Sequence, residues 1–341
     1  MISIILPLSI PEGDEWLASH SSPNLLRLSG MNTPIEKLLI NLLKIKSVSG
    51  EEKEIGDFLV SELKDFKVKK QYVGNKRFNV IAQKGKSDIW IVAHMDTVPG
   101  DVPIKITKDK IYGRGAIDNK GNMAGAIMAG RKLKNINLLF TVSEETDFSG
   151  AKKFGSKKGK FIVMEPTNFS ILKGQRGAVA FRIVARGRQM HSSLIFKKED
   201  SAVFNLLSVL AKLYRKNWTA FNAVISDGGK KDSIVPKYAE ARIFTRPKTL
   251  KEYQSTVKYL RRFRANNVRI KIDGTFKPCR SNLFEKGKNA LFFSEMIFFK
   301  NSLLFGVGGI FLAHAENEYV LRKDLNSLEE KLLALVGKIN K

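Results

Sequence analysis

Four short apolar runs, "FNVIAQKG", "SDIWIVAHMD", "INLLFTVSEE" and "KFIVMEP", recur between residues 35 and about 170 and alternate with stretches of helical spacing. Runs this short, set between helices, are the mark of strands buried on both faces. "PIEKLLINLLKI" and "EEKEIGDFLVSELKDF" carry one apolar face each, and "NKGNMAGAIMAGRKLK" reads as a helix of small residues. The expected fold is therefore α/β, with a mixed, largely parallel sheet flanked by helices.

From residue 173 the pattern changes. "AVAFRIVARG" alternates like a strand with one open face, and "SAVFNLLSVLAKLYRK" follows as a helix. Then come the strand-like "YAEARIFTR", the helix "TLKEYQSTVKYLRRFRAN" and the strand "VRIKIDG". This describes a smaller α+β unit inserted at 173–283, between a main domain begun at 31–172 and completed at 284–341. Residues 1–30 read as an N-terminal extension, either an artefact of start-codon choice or a disordered arm. Its opening "MISIILPLSI" lacks the basic start of a secretory signal, and the expected compartment is the cytoplasm.

Composition narrows the chemistry. One cysteine, Cys279, excludes a disulfide framework and Cys-rich zinc modules, so a metal site here must use His, Asp and Glu. The chain carries 59 Lys+Arg against 33 Asp+Glu, a net charge of +26. Such an excess suits nucleic acid, an anionic membrane, an acidic protein partner or simply a lysine-rich proteome. No run of five basic residues and no apolar stretch of membrane-spanning length occurs, which argues against the first two.

In open α/β sheets, functional groups gather where strands end. "IVAHMD" puts His94 and Asp96 on one side of an extended chain, because side chains alternate with period two. "GRGAIDNKG" sets Asp118 in a glycine-rich turn before a helix. "LLFTVSEE" ends in Glu144 and Glu145, "FIVMEP" in Glu165, and "GIFLAH" in His314. Taken singly, each has an ordinary explanation: a structural histidine, an N-cap aspartate, a solvated strand end. Together, two histidines and three carboxylates make a suitable donor set for a pair of divalent ions such as Zn²⁺.

These motifs, with "HMDTVPGD", "YGRGAIDNKG", "SEET", "MEPT", "GQRGAVAFRIVARGRQMHSS" and "AHAENEYV", give a chain that resembles the di-zinc amidohydrolases and peptidases related to acetylornithine deacetylase, succinyl-diaminopimelate desuccinylase and aminoacylase. The resemblance covers residues 35 to 341 and implies a function for each site residue. His94 and Glu165 would hold one metal, Glu145 and His314 the other, and Asp118 would bridge two Zn²⁺ or Co²⁺ ions. Asp96 would orient the His94 ring, and Glu144 would be the general base. His191, on the insert, would reach a neighbouring subunit's site and stabilise the oxyanion, which implies a homodimer joined through a lid and dimerisation domain. Arg246 would grip the substrate carboxylate.

The spacer between "HMDTVPG" and "YGRGA" is short, a form similar to the LysW-lysine/LysW-ornithine hydrolases. Those enzymes release lysine or ornithine from the C-terminal glutamate of LysW, a small acidic amino-group carrier protein, and a +26 enzyme suits such a partner. The alternatives are a deacylase of small N-acyl amino acids and a metallo-dipeptidase using the same residues. Ser233 and Phe244 depart from the residues usual in the family.

Overall fold

A computed structural model describes residues 33–74, 76–195, 197–284 and 287–340. The expectation for the 1–30 extension lies outside the described residues. The first helix, Pro34–Lys44, begins where the sequence signals it. Thr33 accepts the Glu36 amide and the Glu36 carboxylate accepts the Thr33 amide, a reciprocal cap that satisfies two otherwise orphaned donors. Ile35, Leu38, Leu39, Leu42 and Leu43 then fall on its buried face.

The four apolar runs become the strands Phe78–Lys84, Ile89–His94, Ile136–Thr141 and Lys160–Met164. The main sheet has nine strands, with a path running Lys67–Tyr72, Phe78–Lys84, Ile136–Thr141, Ile89–His94, Lys160–Met164, Ser302–Phe305, Leu172–Gln175 and Cys279–Arg280. Ile136–Thr141, Ile89–His94, Lys160–Met164 and Ser302–Phe305 are mutually parallel, and the flanking pairs at Phe78–Lys84 and Leu172–Gln175 are antiparallel. The sheet is mixed, with its parallel part at the centre. Helices Pro34–Lys44, Lys120–Lys132 and Arg322–Ile339 pack together on one face of it. Lys120–Lys132 is buried nearly all round, which explains its glycine and alanine content: Gly125 lies against Leu328 with no room for a Cβ.

A second, four-stranded antiparallel sheet has the order Phe221–Asp227, Tyr238–Thr245, Ala178–Arg186, Val268–Phe276. Helices Ala202–Tyr214 and Leu250–Arg262 cover one face, packing Leu206, Val209, Leu213, Val257 and Leu260 on Phe181, Ile183 and Ile243. The alternation seen in "AVAFRIVARG" is this half-covered sheet: Val179, Phe181, Ile183 and Ala185 point into its core.

Among the strands that escaped the sequence reading are Lys67–Tyr72 and Phe221–Asp227. Both lie at sheet edges, and one is lysine-rich while the other buries almost nothing. Edge strands of this kind carry little apolar signal because charge there discourages pairing with other chains. Among the described residues no helix is long and apolar enough to cross a membrane.

Candidate metal centre

The four parallel strands all deliver polar residues at their carboxyl ends. Ile89–His94 ends on His94, and Ile136–Thr141 runs into Glu144 and Glu145. Lys160–Met164 leads to Glu165, and Ser302–Phe305 runs on through residues 306–313 to His314. Asp118 joins them from the turn before Lys120–Lys132. It does not cap that helix: Asn119 holds the cap position.

The Asp118 carboxylate sits between two imidazoles. One oxygen is 3.0 Å from His94 Nε2 and the other 3.4 Å from His314 Nε2. His314 Nε2 also lies 2.9 Å from Glu145 Oε1. One donor atom from each of His94, Asp118 and Glu145 falls within 4.8 Å of the others. Glu165 is buried beside them, and its Oε1 has no hydrogen-bond partner among the described residues.

Asp96 holds the His94 ring through its main chain: Nδ1 donates to the Asp96 carbonyl at 2.9 Å, with the carboxylate 3.6 Å away. That bond keeps the proton on Nδ1 and presents Nε2 to the cluster. The Asp96 carboxylate has closer work elsewhere. It accepts the amides of Glu144 and Glu145 at 2.9 and 3.0 Å and the Ser49 hydroxyl at 2.6 Å, so it aims the two glutamates.

The electrostatics follow from burial and crowding. Burial pushes the Glu144 carboxyl well above its ordinary value, and the neighbouring Glu145 and Glu295 charges push it further. Burial with the Glu144 and Asp118 charges does the same to Glu165, and burial with Asp118 raises Glu145. Asp118 goes the other way despite its burial, because the His314 and His94 hydrogen bonds hold it low. His314 is pushed up to about 10 by its Asp118 and Glu145 partners. A buried knot of carboxylates with an unpartnered oxygen is short of positive charge, and this donor set fits divalent cations.

Three further buried glutamates, none assigned a role from the sequence, support the site. Glu318, fully buried, accepts the amides of Gly115, Ile117 and Asp118 at 3.0–3.2 Å and pairs with Arg114 at 2.9 Å, fixing the turn that carries Asp118. Glu52 accepts the Ser143 amide at 3.1 Å and pairs with Arg77, bracing the turn before Glu144, where Ser143 takes a φ of +60°. Glu295 accepts the Thr141 hydroxyl at 3.1 Å, and burial raises its carboxyl to about 7. Each acts on backbone or at long sequence separation, so its role is not legible locally, even for Glu318, which falls inside "AHAENEYV".

The other two expected residues stand apart from this cluster. Arg246 is half-buried with the charges of Glu144 and Glu145 nearby, and its guanidinium lies 4.7 Å over the Phe244 ring. His191 is exposed on the insert. Its Nδ1 lies 2.8 Å from the Ser193 hydroxyl, and none of its hydrogen bonds reaches the cluster.

Among curated relatives, a probable carboxypeptidase of Talaromyces marneffei is 32% identical over 239 residues, 58% of this chain and 52% of its own length. The LysW-lysine/LysW-ornithine hydrolase of Sulfurisphaera tokodaii is 30% identical over 200 residues, 56% of each chain. The matches thus span about half the length of these relatives. Among solved structures, a tripeptidase of Staphylococcus aureus superposes with a TM-score of 0.72 at 17% identity, covering 91% of this chain and 99% of its own. A dinuclear metal-binding M20 peptidase of Bacillus subtilis does so with a TM-score of 0.60 at 15% identity, covering 89% and 97%. The model of Peptidase family M20/M25/M40 matches residues 90–338, a span that takes in every strand end described above. With that span matched and the fold shared, the chain belongs to peptidase family M20/M25/M40.

Proposed function

We propose that the chain is a dinuclear metallohydrolase that releases lysine or ornithine from the γ-carboxyl of the C-terminal glutamate of an acidic carrier protein in the cytoplasm. The observation that carries the hydrolase reading is the Asp118 carboxylate held between His94 and His314, with Glu145 and Glu165 alongside. In this reading His94 and Glu165 would hold one cation, Glu145 and His314 the other, with Asp118 shared between them. Zn²⁺ or Co²⁺ bound there would supply Lewis acidity toward the scissile carbonyl and would lower the pKa of water.

The chain's own residues do the rest. Glu144, buried and aimed by Asp96, takes a proton from the attacking water and hands it to the leaving amine. Arg246 holds the substrate's free carboxylate from the insert. His191 serves the site of a second copy, as a donor to the developing oxyanion, so the working form is a homodimer and 173–283 acts as its lid.

The carrier reading rests on the short spacer, on the net charge of +26, and on the Sulfurisphaera tokodaii relative. The probable carboxypeptidase relative favours a second reading, cleavage of free peptides or acyl amino acids by the same residues. The experiment loads the purified protein with Zn²⁺ or Co²⁺ and offers the carrier bearing γ-linked lysine or ornithine, with acetylornithine and dipeptides in parallel. Release from the carrier alone supports the proposal. Turnover of only the small substrates replaces it with the second reading.

A further inference from the structure

We propose that one free edge of the second sheet is a strand-addition site for an acidic protein, one that offers an extended segment alternating Asp or Glu with apolar residues. The inference goes beyond the hydrolase reading: it needs only the second sheet and holds whichever amide the metal centre cleaves.

Strand Val268–Phe276 closes one side of that sheet. It pairs with Ala178–Arg186 and, among the described residues, with no strand beyond. Its outer row of amides and carbonyls therefore has no ladder partner. The register is regular over 268–272 and breaks at Asp273, so 268–272 is the usable edge. Side chains along it divide by face. Arg269 and Lys271 stand exposed beside Val184 and Arg182, on the face without helices. Ile270 and Ile272 are half-buried and pack toward the core beneath Leu250–Arg262.

A cleft lies along each face, and Val268, Arg269 and Lys271 line both. On the helix side, about 690 Å³ of space is bounded by Leu260, Phe263, Ile270 and Ile272 together with Arg261 and Arg264, and no acid lines it. On the other side, about 650 Å³ is bounded by Arg182, Arg186, Tyr238 and Glu240. The one acid there is engaged, since the Tyr238 hydroxyl donates to the Glu240 carboxylate. Arg269 and Lys271 have no ion-pair partner among the described residues.

Charge on an edge strand ordinarily keeps sheets from joining, and here it does so selectively. A second copy of this edge would set Arg269 and Lys271 against their own like, which is destabilising. An acidic segment meets the opposite case. Its carboxylates would fall beside Arg269 and Lys271, and its apolar residues, on the other face by period two, would cover Ile270 and Ile272. Main-chain pairing then supplies affinity, and the alternating side chains supply selectivity. A nucleic acid would meet the cations but leave the row of amides and the isoleucines unused.

The test is binding of short fluorescein-labelled peptides to the full-length protein, read by anisotropy, with hydrogen exchange locating the site. One peptide alternates Glu with Val, and a second carries the same residues in two blocks. The alternating peptide is expected to bind about tenfold more tightly than the blocked one and to slow amide exchange within 268–276. Joint Arg269→Glu and Lys271→Glu substitution should weaken its binding about tenfold, and a peptide alternating Lys with Val should then bind that variant better than the parent. Equal binding of the two peptide orders, or protection only outside 268–276, overturns the proposal. So does a single-stranded oligonucleotide that displaces the labelled peptide as well as unlabelled peptide does. The comparison of the two orders uses the parent protein, so it decides the matter even where the double variant fails to fold.

Discussion

Glu144 is buried, carries no hydrogen bond to a cation among the described residues, and is held in place by its own amide on the Asp96 carboxylate. Its neighbour Glu145 points to His314 instead. Two adjacent glutamates at one strand end thus point differently, as the proposed division between cation binding and proton transfer requires. Glu144→Gln keeps shape and backbone bonds while removing the basic oxygen. We expect unchanged metal content by elemental analysis and hydrolysis reduced about 10²–10⁴-fold. Loss of metal together with activity would make Glu144 a ligand rather than a base. Much of this cluster was legible in the sequence, because strand-end chemistry survives as "HMD", "SEE", "MEP" and "LAH" without knowledge of the fold. The residues that hold it were not. Glu318 reaches back about two hundred positions to bind Asp118's turn, and Glu52 reaches Ser143 across 91. A carboxylate that accepts main-chain amides leaves no trace in the residues it binds.

At the scale of elements, the centre depends on helices that let the chain turn tightly beneath it. A Cβ on Gly121 would stand 2.3 Å from the Ala116 carbonyl oxygen, within the turn that carries Asp118. A Cβ on Gly125 would meet Leu328 at 2.2 Å, one turn further from the site. Gly125→Ala should lower unfolding stability by about 1–3 kcal/mol with metal affinity preserved. Gly121→Ala should also weaken metal binding, since backbone rather than a side chain must yield. Denaturant unfolding and metal titration of both variants would show whether the two effects separate as the packing requires.

The first and last helices are clasped by Glu36 and Arg322, whose Nε and Nη2 each lie 2.9 Å from a Glu36 oxygen. Burial alone would raise the Glu36 carboxyl, but hydrogen bonds from Arg322, Asn326 and the Thr33 amide outweigh it and hold it low. A carboxyl lowered in the folded state contributes stability above its unfolded value, roughly 4.3, and loses it as pH falls through the folded one. Glu36→Gln should therefore destabilise the protein at pH 7, with the gap to the parent closing below about pH 4. A gap constant with pH would assign the effect to packing. No local pattern announces this clasp, because the partner of Glu36 lies 286 residues on.

The whole molecule sets an acidic centre in a basic body. The cluster of Asp118, Glu144, Glu145 and Glu165 is local, while the chain as a whole carries +26. A small acyl amino acid meets mainly the near field of the site. An acidic protein meets the far field first, and attraction of that range raises encounter rates steeply at low salt. Screening then separates the two substrates. The Debye length shrinks from about 10 Å at 0.1 M to about 3 Å at 1 M, so surface steering is lost while contacts inside the cleft persist. For the acidic carrier, kcat/KM should fall by about tenfold or more between 50 and 500 mM salt, with kcat nearly constant because the docked complex is unchanged. For acetylornithine, kcat/KM should change far less over the same range. Equal salt dependence for both would mean that the basic surface takes no part in substrate capture, and the lysine excess would then be a property of composition. The contrast tests net charge as a functional feature, which neither the site geometry nor the fold does.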